Sequence, residues 1–303
     1  MRHVPALLNE VVDNLQLKSG MQVVDCTLGD GGHAAKILEK IGPKGKLLGI
    51  DADPESLLRS KQYLYKWQEQ VIGVRDNFIN LKKIVVENHF GPVDAILMDL
   101  GWSSPQFRER GRGFSFLADE PLDMRFGGQQ DKNSSTAADV VNSYSEEALA
   151  KLFRTYGEEN LYNEIARAIV AARERHPIER SGELSDIILQ SYRAKLRTDA
   201  PVPWIGGLHP ATKVFQALRI EVNHELEVLR QALPQAVALL AQGGRLAVIA
   251  FHSLEDRIVK QYFKSINNKI IKLVNNKPIV ASAEEVAENA RAKSAKLRVV
   301  EKI

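Results

Sequence analysis

The chain has 303 residues, of which 44% are hydrophobic and 26% charged, with a formal net charge of +3. That composition describes a soluble globular protein large enough for one big domain or two. It excludes a transmembrane protein, because no apolar run approaches the ~20 residues a span needs, and an electrostatically driven nucleic-acid binder, because the net charge is too small. Cys26 is the only cysteine and the seven histidines are scattered, so no disulfide framework or metal site is expected. Met1–Pro5 contains no signal-peptide core, and a cytoplasmic location is the expectation.

In chain order, the first third alternates short apolar runs with helical patterns. Strands are expected at 21–26, 46–51, 71–76 and 94–100. The first ends in Val24-Asp25-Cys26-Thr27, followed by the tight turn Gly29-Asp30-Gly31-Gly32-His33, and Ala34–Leu38 can open a helix. The second ends in Asp51, 20 residues beyond Gly31. Such a layout is that of a βαβ nucleotide site, in which glycines admit a ligand to the backbone and the acid takes ribose hydroxyls. Ala34 and Ala35 stand where a dehydrogenase would need its third glycine, and Asp25 suits a ligand bearing an ammonium group. Both features favour S-adenosylmethionine over NAD. Asp53-Pro54-Glu55 reads as a helix cap, which leaves Asp51 as the ribose acid.

Beyond Leu100 the rhythm changes. Residues 101–132 are rich in Gly, Pro, Arg and Phe, and 134–197 show only helical patterns. Ser145 starts one helix and Gly157 ends it; Leu161, Ile165 and Ile169 line the next, and Leu184, Ile188 and Tyr192 a third. Pro201–Gly207 is a loop, after which Val214, Leu218, Val222, Leu226, Leu229 and Leu233 fall on one face of a single long helix. Strands return at 244–251, 270–274 and 297–303, with a helix from about Leu254. The economical account is an α/β fold, a Rossmann-like, mostly parallel seven-stranded sheet, interrupted by a helical insertion. The expected division is residues 1–105 and 211–303 for the sheet domain and 106–210 for an insertion that reads the substrate. The insertion holds 14 basic and 16 acidic residues, whereas 260–303 hold ten Lys/Arg against four Glu.

Ligands of an open parallel sheet bind beyond the C-terminal ends of its strands. Asp25–His33, Asp51, Asn77-Phe78, Asp99–Gln106 and His252-Ser253 should therefore share one cleft. Asp99 is a strand-end acid facing that crevice, followed by the rigid rim Ser103-Ser104-Pro105-Gln106. Carbonyls, hydroxyls and a carboxylate can hold an exocyclic amine in line with a sulfonium methyl, and this chemistry needs no strong base. An amine on a nucleobase must be single-stranded or flipped out to reach such a pocket. His252, Asp256 and Arg257 read either as an RNA-facing cluster or as a helix-start network. Arg108, Arg110 and Arg112 read either as phosphate contacts or as a solvated loop.

Several blocks together carry a resemblance. They are Gly29–His33, Asp99–Gln106, Gly113–Phe116, Pro121–Arg125, Tyr156–Glu159, His209–Ile220 and Phe251–Arg257. In their order they resemble the MraW/RsmH family of S-adenosylmethionine-dependent methyltransferases, which modify N4 of a cytidine in the decoding region of 16S rRNA. The resemblance implies that Gly31, Gly32, His33, Asp51, Phe78, Asp99 and Gln106 bind the cofactor, with Phe78 beside the adenine. It further implies that Asp99, Ser103 and Ser104 position the reacting amine, with no metal and no covalent enzyme intermediate. The expected partners are the small ribosomal subunit and its 16S rRNA, with a homodimer as an open oligomeric option. Trp102 departs from the small aliphatic residue the family usually has. The competing readings are another methyl acceptor (a different RNA, DNA or a protein amide), a non-catalytic ribosome-assembly factor and, last, a dehydrogenase.

Overall fold

The computed structural model describes residues 4–100, 111–128 and 134–303. Seven strands form one sheet: β1 (Gln22–Asp25), β2 (Lys46–Asp51), β3 (Val71–Arg75), β4 (Val93–Asp99), β5 (Leu240–Ala250), β6 (Ile271–Leu273) and β7 (Lys296–Lys302). Their order is β3-β2-β1-β4-β5-β7-β6. β1 to β5 run parallel, and β7 is antiparallel to both β5 and β6. The expected mostly parallel sheet is therefore present, each strand within a few residues of its predicted place. β5 differs most, beginning at Leu240 rather than Gly244. Its pairing with β4 jumps from Val93↔Leu240 to Ala95↔Arg245, a bulge that absorbs Ala241–Gly244.

The central strands are buried on both faces, as continuous apolar runs in a parallel sheet should be. One face packs Val24, Leu48, Ile50, Ile96 and Val248 with the helical residues Leu81, Leu229, Leu233 and Phe263. The other packs Val23, Leu47, Leu97 and Ile249 with Val11, Ile37, Leu38 and Ile41. The helices concerned are α1 (Leu8–Leu15), α2 (Gly32–Ile41), α3 (Pro54–Tyr63) and α4 (Leu81–Glu87) in the first half. Asp53 caps α3 as its sequence predicts: its Oδ1 accepts from Glu55 N at 3.0 Å, with Pro54 in the first helical position.

The chain divides into two compact units, residues 1–103 with 226–303, and residues 104–225. In the second unit lie α5 (Ala137–Ser143), α6 (Glu146–Gly157), α7 (Tyr162–Arg173), α8 (Ser181–Leu196) and α9 (Thr212–Asn223). The boundary at 225 lies beyond the expected 210, because α9 packs against α6 and α5 within this unit. The single long helix expected over 214–233 is also two helices, α9 and α10 (Glu225–Leu239). His224 separates them with a left-handed backbone (φ 50°). One apolar face running through both helices hides the break, because the break is a backbone event. α11 (Ser253–Ile266) and α12 (Ala283–Glu288) complete the first unit. Among the described residues, no helix is long and apolar enough to cross a membrane.

Candidate functional site

The C-terminal ends of β1, β2 and β4 carry the chemistry. Asp25 ends β1 in a local turn: its Oδ1 accepts from Thr27 N at 3.1 Å and from Thr27 Oγ1 at 3.3 Å. The Thr27 hydroxyl in turn accepts from Asp99 N at 2.7 Å, so β1 and β4 are tied at the point where both strands end. Gly29 and Gly31 then adopt left-handed backbones (φ 53° and 82°), and Gly31 N bonds Leu28 O at 2.9 Å to close the turn that opens α2.

Asp51 sits at the end of β2, and its side chain reaches across to the glycine turn. Its Oδ2 accepts from Gly29 N and its Oδ1 from Asp53 N, each at 2.8 Å. The carboxylate thus clamps the loop after β1 to the loop after β2, and each oxygen keeps a further lone pair to offer. His33, in the first turn of α2, is 5% exposed, and its Nδ1 lies 3.5 Å from Asp99 Oδ2. The side chain of His33, and not only its backbone, therefore belongs to this cluster. Gly31, His33, Asp51 and Asp99 are brought together as the sequence leads one to expect.

Gly32 has an additional, purely steric reason to be glycine. A Cβ there would lie 2.4 Å from Pro5 Cγ, so the N-terminal segment packs directly on the start of α2. Phe78 follows β3 in a short 3₁₀ turn capped by Asn77, whose Oδ1 accepts from Ile79 N at 2.9 Å. It is half-buried and packs partly against the core. Ser103, Ser104 and Gln106, together with Trp102, Arg108 and Arg110, lie outside the described residues.

Two buried carboxylate oxygens in this region, Asp25 Oδ2 and Asp30 Oδ1, have no hydrogen-bond partner. Burial pushes the Asp25 carboxyl up to about 7, against the lowering effect of its hydrogen bonds from Thr27. Unsatisfied acceptors beside a glycine turn are what a cationic ligand would satisfy, and S-adenosylmethionine carries both an ammonium and a sulfonium. The residues present therefore fit that cofactor. Thr27 and Asp30 were missed in the sequence as candidate site residues. For Thr27 the available signal was the Asp-x-Thr spacing, which favours a side-chain-to-backbone turn.

The other strand-end candidates have structural work. His252 and Glu255 form a reciprocal cap on α11, with Glu255 Oε2 accepting from Phe251 N at 2.8 Å. Asp256 receives Arg298 Nε at 2.7 Å and Nη2 at 3.2 Å from β7. Of the two readings of this segment, these contacts assign His252 and Asp256 to the helix-start network. Within the second unit, Arg112 Nη1 donates to Phe126 O at 2.9 Å and holds its loop together.

Comparison with known proteins gives a consistent pattern. A family model described as the MraW methylase family matches residues 1–303. The chain is 44% identical to ribosomal RNA small subunit methyltransferase H of Clostridium botulinum (strain Loch Maree / Type A3), covering 100% of this chain and 99% of that protein. The protein of the same name from Carboxydothermus hydrogenoformans is also 44% identical, over 99% of this chain and 98% of its own length. The protein of that name from Clostridioides difficile is 41% identical, with 99% of each covered. Among solved structures, an rRNA methylase from Streptococcus thermophilus superposes with a TM-score of 0.46 at 12% identity, covering 100% of this chain and 99% of that one.

Proposed function

The chain belongs to the MraW methylase family, whose model spans all of it, and from that premise we propose that it methylates N4 of a cytidine in the decoding region of 16S rRNA. It is an S-adenosylmethionine-dependent rRNA methyltransferase, in keeping with relatives 41–44% identical over nearly their full length. The small ribosomal subunit is its partner in this reading and the cytoplasm its location.

The observation that carries the site assignment is the junction of Asp99, Thr27 and His33 where β1 and β4 end. The bound cofactor supplies an electrophilic methyl group on a sulfonium. The amine of cytosine is a poor nucleophile, because its lone pair is delocalised into the ring. Asp99 accepts a hydrogen bond from that amine, which favours a pyramidal nitrogen and aims its lone pair. The backbone tie through Thr27 and the nearby His33 ring limit how far the Asp99 carboxylate can wander. Asp51 takes the ribose hydroxyls through the lone pairs its two backbone contacts leave over, the glycine turn carries the methionine end, and Phe78 borders the adenine. Ser103, Ser104 and Gln106 complete the rim, with Ser103 and Ser104 positioning the amine. After transfer the methylated nitrogen is acidic and loses its proton without a strong base. Positioning of this kind can supply up to ~7–11 kcal/mol of barrier lowering.

The test is methyl transfer from labelled S-adenosylmethionine to small subunits from cells lacking this gene, with nucleoside analysis of the digested rRNA. Label should appear in N4-methylcytidine. Asp99→Ala should lower the rate by about 100-fold or more, because misplacement by ~1 Å already costs that much. Label in any other nucleoside, or an Asp99→Ala enzyme as fast as the wild type, would refute the assignment.

A further inference from the structure

An aromatic ladder in the second unit runs from its core to its surface. The buried ring of Phe215 meets Phe116 edge-on at 5.7 Å. Phe116 stacks on His209 with centroids 4.5 Å apart and planes 5° from parallel, and His209 meets Trp204 edge-on at 6.3 Å. Trp204 is 64% exposed. It stands at the base of a tight turn in which Ile205 and Leu208 exchange backbone hydrogen bonds of 2.8 and 3.1 Å. The two central residues, Gly206 and Gly207, have φ of 60° and 80°, and a Cβ on either would meet nothing. Left-handed φ at both central positions belongs to the type I′ family of hairpin turns, which glycine tolerates at no steric cost. The indole is thus held by a stiff turn on one side and a stacked ring on the other, with much of its surface in water.

The polar groups around it have a consistent character. Burial lowers the pKa of His209, which keeps the ring neutral near pH 7. Its Nδ1 accepts from Ala211 N at 3.2 Å, so the ring proton sits on Nε2 and can be donated. The flanking segment 193–213 has four basic residues, Arg193, Lys195, Arg197 and Lys213, against the single acid Asp199. Lys195 and Arg197 are exposed at the end of α8. This sign is opposite to that of the insertion as a whole, in which acids outnumber bases. A rigid exposed aromatic, a neutral donor beside it and a local positive charge match single-stranded RNA, whose splayed bases stack on aromatic side chains while its phosphates seek cations.

We propose that the Trp204 turn is a stacking platform for an unpaired nucleotide of the RNA substrate, serving binding and not the chemical step. The inference rests on the rRNA reading given above. Preorganisation explains why an exposed Trp is kept: little conformational entropy is lost when a base lands on a ring already fixed.

Steady-state methylation of undermethylated small subunits by full-length Trp204→Ala and Trp204→Phe proteins tests it. Trp204→Ala should raise KM for the subunit by about 5- to 100-fold, the range of one lost base–aromatic stack. Its kcat and its affinity for S-adenosylmethionine should not change, and Trp204→Phe should retain most of the wild-type KM. Lys195→Gln and Arg197→Gln should each reduce the salt slope of subunit binding by about 0.7, as for one lost phosphate contact on a single strand. An unchanged KM in Trp204→Ala would overturn the proposal and leave the enzyme assignment intact. So would a change from dimer to monomer in that variant, since the occupant would then be a second copy of the chain. Failure of the wild-type protein to methylate the subunit would refute the functional reading, and the platform with it.

Discussion

Asp25 shows how one buried carboxyl ties stability to the cofactor site. Its folded-state pKa of about 7 lies above the unfolded value near 3.8, because burial penalises the charged form. Between those two values the folded protein holds a proton that the unfolded chain has released. Stability from this group is therefore complete below about pH 4 and declines as the pH rises through 7. A shift of about three units corresponds to at most about 4 kcal/mol. Asp123 acts in the opposite sense: hydrogen bonds from Arg125 hold its carboxyl below the usual range, so its contribution is lost as the pH falls. The informative measurement is accordingly the difference between wild type and Asp25→Asn in urea unfolding at pH 5 and pH 8. The wild-type protein, free of cofactor, should lose more stability over that interval than the variant; parallel profiles would show that Asp25 does not titrate there. Asp51 and Asp53 teach a related lesson. Both are acids just after a strand, and the Asp-x-Asp-Pro-Glu pattern suffices to identify the cap. That Asp51 also clamps Gly29, 22 residues away, is visible only in three dimensions.

At the scale of elements, α6 and α9 illustrate how a helix ends without exposing its carbonyls. Lys213 Nζ donates to Glu158 O at 2.7 Å and Gln216 Nε2 to Tyr156 O at 2.9 Å, so side chains of α9 satisfy the end of α6. The approach this needs is close: a Cβ on Gly157 would lie 2.6 Å from the Lys213 carbonyl oxygen. Gly157→Ala gains up to ~1 kcal/mol of helix propensity. It must also move a backbone carbonyl, and overpacking costs ~1–3 kcal/mol. The variant should be less stable by about 1–2 kcal/mol in denaturant unfolding, and equal or greater stability would refute the tight packing of the two helices. Gly157 is legible in the sequence as a helix end; its role as a contact point is not, since its neighbour lies 56 residues further along the chain. The bulge in β5 and the break at His224 escaped for a similar reason. Apolar patterning reports which face is buried, and neither event changes the face.

Considered as a whole molecule, the sheet unit is assembled from two separated stretches of chain, and its cofactor residues come from the first of them. A ligand that binds only the folded form stabilises it by mass action. S-adenosylmethionine at 100 times its Kd should therefore add about 2.7 kcal/mol to the unfolding free energy of that unit. Hydrogen-exchange protection should concentrate in residues 26–33 and 51–53, where the loops meet. Protection spread evenly over the sheet, or absent from those two loops, would contradict the placement of the cofactor.

The sequence by itself determined the seven strands, the helical insertion, the glycine turn with its acids and the class of cofactor. Each of these is written in local periodicity, or in side chains acting on backbone two or three residues away. Tertiary structure alone decided what distant groups do to one another. It joined Asp99 to Thr27 across 72 residues and placed His33 beside Asp99. It gave Asp256 to Arg298 rather than to RNA, and stacked Phe116 on His209 beneath Trp204. The physical reason is the range of the forces involved. Backbone propensity and capping act along the chain and leave a pattern in it. A hydrogen bond or ring contact between remote segments depends on the closed fold, and leaves no trace in the spacing of residues.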